Sequence, residues 1–230
     1  MKKIGLIGGI SWFSTIDYYR LMNQKINARL GGVSSAEIIL YSVDFAIIKK
    51  WTEAGEWDRI SEHMSSIAKK LEAAGADCLM LGANTMHKIA GEVQAAINIP
   101  LINIAEAVAD RINAKGLTKV ALLGTKYTMQ LDFYKDKLAE KNIETIIPNE
   151  VDIEMINSCI YNEMGKGIFL PERKQQFLAV IDQLKALGAE GVILGCTEIP
   201  LLIKQEDTPL PVFDSTEIHV NAAVNFALAQ

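Results

Sequence analysis

Short apolar runs alternate along this chain with longer stretches in which apolar residues recur every third or fourth position. Runs at residues 4–7, 37–43, 78–81 and 101–104 have the length and the Val, Ile and Leu content of buried strands, and helical spacing fills 15–30 and 56–74 between them. The pattern then starts again. Strand-like runs at 120–123, 144–147, 191–194 and 212–213 are separated by helical stretches that include 129–141 and 171–186. Alternation of this kind predicts an α/β fold with parallel sheets, here in two copies.

The copies are visible residue by residue. Leu71-Glu-Ala-Ala-Gly-Ala-Asp-Cys-Leu-Met-Leu-Gly-Ala83-Asn84-Thr85 aligns without a gap on Leu184-Lys-Ala-Leu-Gly-Ala-Glu-Gly-Val-Ile-Leu-Gly-Cys196-Thr197-Glu198. Each segment reads as a helix end, a Gly turn, a buried strand and then small polar residues where the strand stops. Gly8 matches Gly124, and Pro100 matches Pro211, each proline opening a short last strand where its missing N–H does no harm. The expected architecture is therefore two pseudo-symmetric parallel-sheet α/β halves with the active site between them. Residues 1–98 with 214–230 form the first half, and 99–213 form the second. Ligands of open parallel sheets sit beyond the carboxyl ends of the strands, which directs attention to the two sets of matching strand ends.

Composition narrows the class. Half of the 230 residues are apolar, enough for substantial cores, and the net charge of −5 comes from interspersed acids and bases without a basic stripe. Nucleic acid is not an expected partner. No run approaches the ~18 apolar residues of a membrane span, and the first residues lack the pattern of a secretory leader, so no membrane partner and a cytoplasmic location are expected. Three cysteines without a CxxC or a Cys/His cluster argue against disulfides and against a metal site. Cys78 sits inside an apolar strand and Cys159 inside a helical pattern, and both read as core. Cys196 ends a strand.

That position makes Cys196 the leading candidate for chemistry. The helix expected to begin beside it would place N–H groups against the sulfur and stabilise a thiolate, giving a base or nucleophile. Glu198, two residues on, and His87, three residues after Asn84, are nearby groups that would tune the thiol or orient a substrate ammonium. Loop 8–15, with Gly9 and Ser11, and loop 124–129, with Thr125, Tyr127 and Thr128, follow strands and open helices. Together with Asn84, Thr85 and Thr197 they offer N–H and O–H donors suited to a carboxylate, although Thr and Asn at helix starts also serve as ordinary caps. Neither GxGxxG nor GxxxxGK[ST] is present, so no dinucleotide or P-loop nucleotide is indicated. Asp44 reads as a turn-holding Asx residue, His63 as a helix-surface residue and His219 as packed or capping.

Six motifs together resemble a known family. Gly8-Gly9-Ile10-Ser11-Trp12, Ser42-Val43-Asp44-Phe45, Asn84-Thr85-Met86-His87, Leu123-Gly124-Thr125-x-Tyr127-Thr128-Met129, Gly195-Cys196-Thr197-Glu198 and Val212-Phe213-Asp214, in this order, resemble the aspartate/glutamate/hydantoin racemase superfamily and its cofactor-independent amino-acid racemases. The resemblance implies two α/β halves facing one site, often in a homodimer, with no cofactor and no metal. It further implies a pair of thiols, one on each face of the substrate, the second of which maps onto Cys196. The first maps onto Ala83, which carries no proton. Some members have Thr there, but Ala lacks even a hydroxyl. Either Thr85, His87 or water serves the opposite face, or one base works alone, or Ala83 is a change introduced to trap a ligand. Aspartate-specific relatives also place cations over the side-chain carboxylate. Here residues 45–48 are apolar before Lys49 is reached, and Lys166 lies only near the second place, so acidic and broader amino acids both remain open. The expected function is racemisation of such an amino acid. The alternatives are a single-cysteine decarboxylase or isomerase of a small carboxylic acid, and a non-catalytic amino-acid-binding relative.

Overall fold

The computed structural model describes residues 1–229 and divides into two compact units: Met1–Asn103 with the chain from His219 onward, and Ile104–Ile218. The first contains β1 (Ile4–Gly8), α1 (Trp12–Leu30), β2 (Ile38–Ser42), α2 (Phe45–Glu53), α3 (Trp57–Ala73), β3 (Cys78–Leu81), a tight 3-10 turn at Asn84–Ile89 and α4 (Ala90–Ala95). The second contains α5 (Ile104–Asn113), β4 (Lys119–Gly124), α6 (Lys126–Gln130), α7 (Asp132–Ala139), β5 (Glu144–Ile146), α8 (Glu150–Asn162), α9 (Pro171–Ala186), β6 (Gly191–Gly195), α10 (Ile199–Leu202) and β7 (Val212–Asp214). The last helix, α11 (Ser215–Leu228), begins in the second unit and ends in the first.

All strand pairs are parallel, in the orders β2-β1-β3 and β5-β4-β6-β7. The internal repeat is thus a repeat of topology, with β1, β2 and β3 matching β4, β5 and β6. The expected fourth strand of the first half is reduced to one parallel bridge, Leu79 to Leu101. Leu79 N–H still donates to Pro100 and its carbonyl still accepts from Ile102, but α5 starts at Ile104 and turns the chain away. The units divide at 103/104 and 218/219, a few residues later than the sequence boundaries of 98/99 and 213/214, and the Leu79–Leu101 pairing lies within the first unit. The helix expected at 129–141 is also split. α6 ends at Gln130 and α7 begins at Asp132, with Leu131 extended between them at φ −76° and ψ 152°.

The sheet of the first unit is covered on both faces. Ile7, Leu79 and Leu81 pack with α3 residues Ile60, Met64, Ile67 and Leu71, while Ile4, Leu6, Cys78 and Met80 pack with Tyr18, Met22 and Ile26 of α1 and Val220 and Val224 of α11. In the second unit one continuous core joins β4 and β6 to α5, α8 and α9. Cys78 and Cys159 lie buried in these cores, as their apolar contexts predict. Burial carries the Cys78 thiol up to about 12, so it is inert at neutral pH.

One buried polar group in the first unit is fully matched. His219 Nε2 lies 2.7 Å from the Ile102 carbonyl, which can only accept, so that nitrogen carries the hydrogen and Nδ1 accepts from Tyr18 Oη at 2.9 Å. The ring is neutral, since burial holds its pKa down at about 4 against the opposing pull of the Ile102 carbonyl. In the unfolded chain the same imidazole takes up its proton near pH 6.5, so the unfolded state binds more protons between these values. Stability contributed by His219 should therefore be complete above pH 6.5 and fall by about 3 kcal/mol as pH drops to 4. Urea midpoints measured across this range should fall more steeply for the wild type than for His219→Gln; parallel slopes contradict it.

Candidate active site

In each unit the chain runs from the central strand to one neighbour and then crosses to the other side, which leaves a crevice beyond the strand ends at that switch point. In the first unit it lies between the ends of β1 and β3, in the second between those of β4 and β6. Glycines make these ends possible. A Cβ on Gly82 would stand 3.0 Å from the Ile7 carbonyl, and one on Gly195 would stand 2.9 Å from the equivalent Leu123 carbonyl. Residues 83–85 and 196–198 leave the sheets immediately after those close approaches.

The loop after β1 is wound tightly. Gly9 has φ +84° and a Cβ there would run into the backbone of Val43, while its N–H donates to Thr15 Oγ1 at 2.8 Å. Ser11 caps α1 from a left-handed conformation, φ 62°, without a side-chain cap bond, and Trp12 stacks on Phe13 at 3.7 Å between ring centroids. Left-handed backbone on a non-glycine residue costs of order 1–3 kcal/mol and concentrates at functional loops. Gly9→Ala should combine such strain with the Val43 clash and lower stability by roughly 2 kcal/mol or more. A thermal melt that matches the wild type counts against this geometry.

At the β3 end, Ala83 is extended and half-buried, and its methyl packs against the core that includes Met86 and Leu81. Asn84, Thr85 and His87 are buried in the 3-10 turn that follows. Burial holds the His87 pKa well below the ordinary range, with repulsion from His219 adding to the effect and the Leu81 carbonyl opposing it. The His87 ring stands edge-on to His219 at 5.4 Å, and neither of its nitrogens has a well-formed hydrogen bond to protein. Asp44 caps α2 by accepting from Ala46 N–H at 2.9 Å, the Asx turn expected of it. His63 stands edge-on to Trp51, and Lys49 pairs with Glu53 along α2.

In the second unit, Thr125 caps α6. Its Oγ1 accepts from Thr128 N–H at 3.3 Å and lies 3.2 Å from Thr128 Oγ1. Half-buried Tyr127 lies next to it, beneath Lys126 Nζ. Asn157 of α8 accepts from Lys126 N–H at 3.0 Å and so holds this loop to the unit; lying 31 residues away, it left no local signal in the sequence. Lys166 is exposed on a 3-10 turn, Met164–Lys166, whose flanks are tied by an Arg173–Glu163 fork with contacts of 2.7 to 3.1 Å.

Cys196 follows β6 directly and is half-buried, packed against the core of its unit. Its Sγ donates to Glu198 Oε2 at 2.9 Å, and Thr197 Oγ1 donates to the same oxygen at 2.7 Å. Here the structure corrects the sequence reading. Burial pushes the thiol well up from its ordinary value, and the charge and hydrogen bond of Glu198 push it further, while the N–H groups of Glu198 and Thr197 oppose. The expected helix is the four-residue α10, too short to build much of a dipole, and a buried carboxylate stands where the positive end was anticipated. Cys196 therefore rests as a thiol.

Two parallel α/β units built by duplication, each ending its central strands in glycine and small polar residues, match one protein family over most of the chain. Residues 7–223 match the Asp/Glu/hydantoin racemase model, and the chain belongs to that family. It is 46% identical to an Asp/Glu racemase-like protein from Yersinia pestis, with a TM-score of 0.94 and all of both chains covered. It is 39% identical to an aspartate racemase homologue from Pyrococcus horikoshii, with a TM-score of 0.86 and again both chains covered in full. It is also 26% identical to the broad-specificity amino-acid racemase RacX of Bacillus subtilis over 98% of each chain. Among the described residues no helix is long and apolar enough to cross a membrane, and no cluster of three or more His, Cys, Asp or Glu could hold a metal ion.

Proposed function

We propose that this protein exchanges the α-proton of an acidic or broad range of amino acids as a cofactor-independent racemase, with the Cys196 thiol as its acid/base. The observation that carries the reading is the Cys196 sulfur set directly after β6, 2.9 Å from the Glu198 carboxylate, at the switch point where α/β sheets bind ligands. Family membership and the broad-specificity relative support an amino acid as substrate. Asn84, Thr85, Thr125 and the N–H groups of the loops at Gly9 and Ser11 hold the α-carboxylate. Tyr127, Thr128 and Thr197 complete its surroundings, and Lys166 is the cation available to an acidic side chain.

In this proposal Cys196 serves one face of Cα and position 83 the other. Alanine at 83 provides no acid, so proton return from that face falls to water, and exchange by Cys196 runs ahead of inversion. We also propose that the active form is a cytoplasmic homodimer, which the family resemblance favours. Incubation in D₂O with the enantiomers of aspartate, glutamate and neutral amino acids, read by NMR for α-deuteration and by chiral chromatography for inversion, tests the reading. Loss of the α-proton signal with retention of configuration is expected for at least one of them, and no exchange with any overturns it.

A further inference from the structure

Resting on the reading of Cys196 as the acid/base, we infer that Glu198 is the positioning residue that holds and relays its proton, so that the pair acts as one unit with a single shared hydrogen. Three observations carry this. The Cys196 Sγ to Glu198 Oε2 distance is 2.9 Å, the carboxylate is 6% exposed, and the same Oε2 accepts from Thr197 Oγ1 at 2.7 Å. A carboxylate held from two sides cannot swing away when the thiol changes protonation. Its charge lies next to the sulfur, where it opposes a thiolate, and this agrees with the upward displacement of the Cys196 thiol.

The arrangement dictates an order of events. A thiol cannot take a second proton, so Cys196 acts as a base only if its own hydrogen leaves. Burial and the neighbouring Glu198 charge both hold that hydrogen on sulfur, so a free thiolate is not the resting species. Coupled transfer avoids it. As the Cα–H bond breaks and its proton passes to Sγ, the Sγ–H bond breaks and that proton passes to Oε2. The products are a substrate carbanion, a neutral thiol and a neutral carboxylic acid. Reversal returns a proton to Cα and restores the carboxylate. Solvent hydrogen reaches Cα only when the hydrogen that Sγ received from the substrate is itself replaced, by a further transfer with Glu198 or water, while the carbanion persists. Thr197, its single hydrogen directed to Oε2, steadies the carboxylate in this state.

Glu198→Gln separates this role from a structural one, because it should move two readouts in opposite directions. Without the adjacent negative charge the thiol should ionise at lower pH, and alkylation of Cys196 by iodoacetamide at pH 8, followed on its own peptide by mass spectrometry, should accelerate about tenfold. Without a proton acceptor, α-proton exchange with the amino acid that the wild type exchanges should fall by about 10²-fold or more. Glu198→Asp keeps the charge and should recover slow alkylation with part of the exchange. Unchanged or slower alkylation in Glu198→Gln overturns the coupling, and unchanged exchange overturns the relay. Should Glu198→Gln fold poorly by circular dichroism, Glu198→Asp decides by itself: fast alkylation there counts against the inference. A Cys196→Ala protein that still exchanges defeats the acid/base reading instead. So does a wild type that exchanges nothing, and alkylation then still decides the Glu198 question.

Discussion

Replacing Cys196 with Ala is expected to reduce α-proton exchange by 10² to 10⁴-fold while leaving the fold intact. A positioned acid or base contributes that range of rate, or ~2.7–5.4 kcal/mol of barrier, and a methyl group can neither give nor take a proton. The fold should survive because Cys196 is half-buried at the end of a strand whose interior, Val192, Ile193 and Leu194, is untouched. Truncation to Ala also takes the Cys196 donor from Glu198 Oε2, so a small loss of stability accompanies the loss of activity. Exchange rates by NMR and a melting curve on the same preparation check both parts. Activity within a few-fold of the wild type would show that some other group does the chemistry.

The second large effect is a gain. Ala83→Cys should raise the rate of inversion by 10² to 10⁴-fold while changing exchange much less if, as proposed, position 83 serves the face of Cα that Cys196 does not. The site favours the change. Ala83 is half-buried and extended, so a thiol on its Cβ meets no backbone constraint, and it leaves β3 just after the close approach of Gly82 to Ile7. Ala83→Thr should give a smaller gain, a hydroxyl being the weaker acid. Chiral chromatography after incubation with a single enantiomer measures the outcome. If Ala83→Cys inverts no faster than the wild type, position 83 does not address the substrate's second face.

Much of the architecture was legible in the chain because duplication doubles the signal. The gapless match of residues 71–85 with 184–198 gave the ends of β3 and β6 together, and both strands appear where the apolar runs place them. Residues 101–104 misled for a physical reason: an apolar run after a proline satisfies the strand pattern, yet whether it becomes a ladder or a single bridge depends on where α5 begins. The split between α6 and α7 was likewise hidden, since Gln130, Leu131 and Asp132 carry no strong breaker.

Within the candidate site, adjacency along the chain was readable and the direction of the side chains was not. Sequence puts Cys196, Thr197 and Glu198 side by side and predicts that a helix start controls the sulfur. Burial of the sulfur reversed that conclusion, with the Glu198 carboxylate at 2.9 Å adding to it, because together they outweigh the N–H groups of Thr197 and Glu198. Neither the pairing of Asn157 with the Thr125 loop nor the enclosure of His219 by Tyr18 and Ile102 leaves a local pattern, since both join segments far apart in the chain.

The measurement that bears most directly on the role of Cys196 is α-proton exchange in D₂O, run on wild type and Cys196→Ala in parallel with each enantiomer of aspartate and glutamate and with a panel of neutral amino acids. The predicted result is deuterium at Cα in the wild type, gained faster than configuration is lost, and none on the same timescale in the variant. Equal exchange in the two proteins, or an undiminished α-proton signal with every amino acid in the wild type, would contradict it.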